Sequence, residues 1–163
     1  MSSRVFLKYA AVVALIVAAG IVVSRFAPDI GLARPSDATR AAVARTVALE
    51  QLLAEEPDFQ RFSEALRVAQ VAHANCPVRN TADGRVLTLV GEALDAYEAY
   101  RRAWQADLEG AWDDSLADPA YWEASHPGLD VPGEAPLAPQ VVMDAARERG
   151  ASRADAAFDE VAR

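Results

Sequence analysis

The feature that most constrains this chain is an apolar run near its start. Residues 5 to 23, VFLKYAAVVALIVAAGIVV, are apolar apart from Lys8, Tyr9 and Gly20. About 19 helical residues rise roughly 30 Å, the hydrocarbon thickness of a bilayer. Lys8 lies close to the N-terminal end of the run, where its stem can follow the apolar surface while the ammonium reaches the headgroups. Residues 1–26 are therefore expected to form a transmembrane signal anchor, in contact with the membrane through residues 5–23.

A cleaved signal peptide is the competing reading. Ala18, Ala19 and Gly20 offer the small residues a peptidase needs, but a cut there leaves Ile21, Val22 and Val23 at the new terminus. A cut after Ala27 puts Arg25 at the unfavourable third position upstream. Arg4 and Lys8 precede a much more acidic remainder, which favours a single pass through the inner (cytoplasmic) membrane, with the N-terminus cytoplasmic and the C-terminal domain periplasmic or extracytoplasmic.

The exported part holds all 24 acidic residues and 13 of the 16 basic ones, an excess of 11 negative charges. That sign argues against nucleic acid and against anionic lipid headgroups as partners of the outer domain, and leaves protein partners open. Every basic residue except Lys8 is Arg, and Ala is abundant, as in the proteins of GC-rich bacterial genomes. Cys76 is the only cysteine, so no internal disulfide staples the domain.

Beyond a Pro- and Gly-containing linker at 27–36, helical periodicity dominates. Ser36 or Asp37 can cap a helix over 37–56, and Pro57 resets the chain. Phe59, Phe62, Leu66, Ala69, His73 and Cys76 then follow at alternating spacings of three and four, one face of a helix over 57–76. Pro77 ends it, and Asn80, Asp83 and Gly84 supply turn chemistry.

The period returns from 85 to 116 through Leu87, Val90, Leu94, Tyr97, Trp104, Leu108 and Ala111, with Arg101 as the one polar member. Residues 119–137 are rich in Pro and read as a loop with a short helical turn near Tyr121. Residues 138–163 read as two short helices, the first ended by Gly150 and the second, capped by Ser152, with Phe158 and Val161 inward. The expected fold is all-α, with a helical core at 37–118 built on an antiparallel hairpin of 57–76 and 85–116.

Chemistry-bearing residues are few. His73 and Cys76 share a helix face, but they are two ligands where structural zinc takes four, and no oxyanion element accompanies the thiol. They read better as the last turn of an apolar stripe. A surface Cys76 linking two copies into a homo-oligomer stays open.

Tyr97 and Trp104 follow the core spacing, whereas Trp112, Tyr121 and Trp122 lie off it, where aromatics commonly anchor partner proteins. The acids from Asp107 to Asp118 fit no calcium loop and read as a solvated face. No phosphate-binding loop, Gly-x-Ser-x-Gly elbow or Cys-x-x-Cys occurs, so no catalytic, metal or cofactor-binding residue is assigned.

These readings lead to a non-enzymatic anchored domain, an accessory or assembly protein that binds another protein of the cell envelope. Two alternatives are an exported domain holding a small molecule or ion near Trp104 and Trp112, and a thiol-dependent enzyme using Cys76. The bitopic plan is shared by accessory subunits and assembly factors of bacterial envelope complexes, an analogy of architecture only.

Overall fold

Each helix starts where the sequence supplies a cap or a proline. In the computed structural model, which describes residues 34–163, Ser36 accepts from the Thr39 amide and opens α1 (Asp37–Ala54). Glu56, at a left-handed φ of 51°, and Pro57 separate α1 from α2 (Phe59–Ala74), which Asp58 caps through the Arg61 amide. Asn80 caps α3 (Thr81–Glu109), and Asp118 with Pro119 starts α4 (Pro119–Ser125). Pro139 begins α5 (Pro139–Ala162).

α2 and α3 form the antiparallel hairpin that the two stripes imply. At one end Phe59 meets Trp104 edge-on at 5.4 Å. In the middle Phe62 meets Tyr100 at 5.4 Å, and at the other end His73 Nε2 donates to the Leu87 carbonyl at 2.9 Å. Phe62, Leu66 and Ala69 are buried, together with Val43, Leu49 and Leu53 of α1 and Val86, Val90 and Tyr97 of α3. Arg101 resolves its place in the stripe by turning its guanidinium to Glu98 and Gln105.

The most extensive helix pairing is a different one, α3 against α5. α5 runs antiparallel to α3, with Arg153 Nε on Glu92 at 2.9 Å and Gly150 beneath Tyr97. Ala99 and Ala103 bring it close, and Val142, Met143 and Ala146 complete a second core with Trp122, Leu129, Val131 and Leu137.

The structure departs from the sequence reading in several places, first at the start of α3, which begins at Thr81 and so takes Asp83 and Gly84 into the helix and out of the preceding turn. α3 stops at Glu109, not near 116, because Gly110 takes the left-handed conformation (φ 63°) that closes a helix. Leu108 is 61% exposed, because it lies one turn beyond the Phe59–Trp104 contact, where the partner helix begins. The helical turn near Tyr121 is a seven-residue helix, α4.

Residues 138–163 form one helix where two short ones are expected. Gly150 lies in its interior, where a Cβ would stand 2.7 Å from the Tyr97 ring. The continuous helix buries Ala154 and Ala157 and leaves Phe158 outward, 56% exposed.

The five helices are joined by turns and loops, and no strand occurs among the described residues. The proposed anchor over 1–26 lies outside the described residues. Among those that are described, no helix is long and apolar enough to cross a membrane.

Candidate functional site

The aromatic residues that lack helical spacing converge at the end of the bundle where α3 terminates. Gly110 reverses the chain and Asp113 accepts from the Ser115 and Leu116 amides, so Trp112 folds back over α4. Trp112 stacks on Trp122 at 6.0 Å and 18°, and Trp122 stacks on His126 at 6.0 Å and 21°. Tyr121 meets Trp122 edge-on at 5.2 Å, with the Arg102 guanidinium 5.1 Å from its ring centre. Both indoles are hydrogen-bonded, Trp112 to the Leu137 carbonyl (2.9 Å) and Trp122 to that of Leu116 (2.7 Å).

Burial divides the three aromatics singled out for partner contact. Trp122 is 0% exposed and belongs to the second core, so it offers no surface. Trp112 and Tyr121 are half-buried and keep an outer edge in solvent. Leu108, four residues before Trp112, is the large apolar side chain that this end displays most openly. Exposed Asp107, Glu109, Asp113, Asp114 and Asp118 surround these residues in the chain.

His126 is the less expected member of this stack. Its Nδ1 donates to the Asp95 carboxylate at 3.0 Å, pinning the segment after α4 onto the middle of α3, while its Nε2 is buried without a partner.

His73 and Cys76 do not meet as a catalytic pair. His73 is bonded to Leu87 and lies against Gly91, where a Cβ would approach its ring to 3.3 Å. Cys76 lies past the end of α2, half-buried, with its sulfur 3.7 Å from the Thr39 hydroxyl. Among the described residues, no group of three or more His, Cys, Asp or Glu side chains is placed to hold a metal ion.

Beside Cys76 is a carboxylate that periodicity does not single out. Asp83 is fully buried and accepts from the Ser36 amide (2.7 Å), the Thr39 hydroxyl (2.7 Å) and the Arg79 amide (3.1 Å). Burial opposes its ionisation, but these donors together outweigh burial and hold its carboxyl below the usual range. The one local signal was Asn80 three residues before Asp83, a helix-capping spacing. The long-range partners Ser36 and Thr39 leave no trace in the pattern.

At the centre, Tyr97 is buried among three helices. Burial, with the negative charge of Glu50 nearby, pushes its phenol well above the ordinary value. Arg147 of α5 closes this junction with two bonds to Glu50 of α1, at 3.0 and 2.7 Å. Trp104 is packed against Phe59, Phe62 and Tyr100, and Trp112 against Trp122. An open groove of about 800 Å³ lies elsewhere, between the 128–132 loop and α5, with Asp130, Asp144 and Arg153 on its walls.

No protein-family model matches the chain, and no curated protein or solved structure matches it significantly.

Proposed function

We propose that this chain is a non-enzymatic, membrane-anchored extracytoplasmic helical domain, an accessory or assembly protein that binds another protein of the cell envelope. The observation that supports the binding role best is the end of α3. Leu108 stands 61% exposed, Trp112 and Tyr121 are partly exposed, and the acids near them in the chain are exposed.

Exposed apolar and aromatic side chains interspersed along the chain with charged ones have the composition of a protein-binding surface. Its negative charge selects a partner with a basic surface and speeds their encounter. Trp122 and its hydrogen bonds support the patch from beneath, so the surface is held in place before a partner arrives.

Affinity capture with the tagged full chain from detergent-solubilised membranes tests this. The expected result is a partner that is retained by the wild type and lost with Leu108→Asp, a change on exposed surface that leaves the helical content intact. Recovery of the wild type alone, with nothing above background, overturns the reading.

A further inference from the structure

We infer that the groove between α1 and α2 is the seat of a second copy of this chain, the two α1 helices lying antiparallel about a two-fold axis. The groove measures about 440 Å³. On one side it is walled by Arg45, Ala48 and Leu52 of α1, continued by Glu55 at the helix end, and on the other by Ala65 and Val68 of α2. Val68 is 44% exposed and Ala48 is open to solvent, so apolar surface is left uncovered along it.

The order of side chains on α1 selects the occupant. Arg45, Ala48, Leu52 and Glu55 follow at spacings of three, four and three, one stripe on the helix surface. The stripe is symmetric about position 50, so that laid against its own reverse it sets Glu on Arg and Leu on Ala. A two-fold contact requires this, because residue i of one copy meets residue j of the other and j meets i. Antiparallel pairing centred there puts Leu52 of each copy on Ala48 of the other, and Glu55 of each on Arg45 of the other. The small Ala48 lets the two helices approach to about 8 Å, and each α1 enters the other copy's groove and covers Ala65 and Val68.

The charges agree with this register. Arg45 is exposed and makes no ion pair among the described residues. Glu55 meets Arg61 through Oε2 at 3.0 Å, which leaves Oε1 for the Arg45 of the second copy. The other charges of α1 and α2 near the groove are paired within the chain: Glu50 with Arg147, Arg40 with Asp37 and Arg67 with Glu64. Glu56 and Asp58, exposed in the turn beyond Glu55, fall toward Arg45 and Arg40 of the second copy. Each acidic end of α1 thus meets the end that carries the arginines, which favours this pairing of two acidic domains over contacts that set acid on acid.

The pairing leaves the rest of the surface free. Leu108 lies beyond Phe59 and Trp104, at the end of the bundle where α1 finishes and α2 begins. Antiparallel α1 helices therefore carry the two Leu108 ends to opposite extremities of the dimer, and neither is covered.

The test uses the full chain with Cys76→Ser in dodecyl maltoside micelles and a short bismaleimide. Gln51, which also lines the groove, falls within about 3 Å along the helix axis of its own copy in this register. Gln51→Cys should therefore link to itself, whereas Phe158→Cys, at a position 56% exposed on α5, should not. Arg45→Glu sets carboxylates together at both ends of the contact, and Glu55→Arg sets guanidinium groups together. Each should lower the Gln51→Cys dimer yield roughly tenfold while the circular dichroism stays unchanged. Mixing the two charge variants, each with Gln51→Cys, should restore the yield, because only the mixed pair sets opposite charges face to face. A Gln51→Cys chain that stays monomeric, or links no better than Phe158→Cys, overturns the proposal. Charge variants that link as well as their parent, or that mixing does not restore, overturn it too, since a dimer held through another surface behaves in that way.

Discussion

Replacing Asp83 is the perturbation for which the structure gives the most definite consequence. The carboxylate is the shared acceptor for two backbone amides and one hydroxyl, contributed by Ser36, Arg79 and Thr39. A hydrogen bond to a charged acceptor contributes about 1.5–3 kcal/mol. The three losses overlap, and Ser36 and Arg79 lie near enough to the surface for water to replace part of what is lost, so Asp83→Ala should cost about 3–4 kcal/mol. That is a large part of the roughly 5–15 kcal/mol that holds a domain of this size together.

The pH dependence carries a sign that packing alone would not produce. Because the folded carboxyl is held below its ordinary value, its contribution is fully present above the usual carboxylate range and is lost as pH falls through that range toward the lowered value. Urea unfolding of the full chain in detergent micelles, followed by tryptophan fluorescence at neutral pH and then stepwise into acid, reads both quantities. The difference between wild type and Asp83→Ala should shrink as the pH falls. A variant within about 1 kcal/mol of wild type at neutral pH, or a difference unchanged by acid, would refute the reasoning.

Other consequences are as definite. Gly150→Ala in an ordinary helix interior would stabilise by about 1 kcal/mol, but here the new methyl meets the buried Tyr97 ring at 2.7 Å. Overpacking of about 1–3 kcal/mol should win, and the variant should melt below wild type in the same micelles. In an ultraviolet titration, the Tyr97 phenol should stay protonated as pH rises past 10 and ionise only as the protein unfolds in alkali, since its raised value adds stability that is lost above the unfolded value. Cys76→Ser keeps a hydroxyl that can meet Thr39, so stability should change by less than about 1 kcal/mol and partner capture should be unaffected. Loss of capture without loss of folding would return Cys76 to the list of functional groups.

The parts of the fold that follow from periodicity are legible where a stripe is long and its caps are local. Phe62, Leu66 and Ala69 pack with Val90, Leu94 and Tyr97 as their spacing implies, whereas Asn80 and Gly110 set the limits of α3 earlier at both ends than the stripe indicates. Gly150 misleads because glycine serves equally as a helix stop and as a notch for a neighbour. Only the Tyr97 ring, on another helix, decides between them.

Trp122 misleads for a related reason. A seven-residue helix is too short to show a period, so the burial of its indole depends on Trp112, Ala103 and Val142 from three other segments. The Asp83 cluster joins residues more than forty positions apart and is invisible to any local pattern. Leu108 reads as core because it keeps the spacing of the stripe, and it is exposed because α3 outlasts the helix it packs against. The most useful surface residue is thus one that the sequence alone assigns to the interior.

The proposed function requires that a partner bind at that end of α3. Site-specific photocrosslinking in the native membrane tests it most directly, with a photoreactive residue in place of Leu108 in one strain and of Val68, exposed on α2, in another. One dominant heterologous adduct is expected from position 108 and none of it from position 68. No adduct at 108, or the same adducts from both positions, would contradict it.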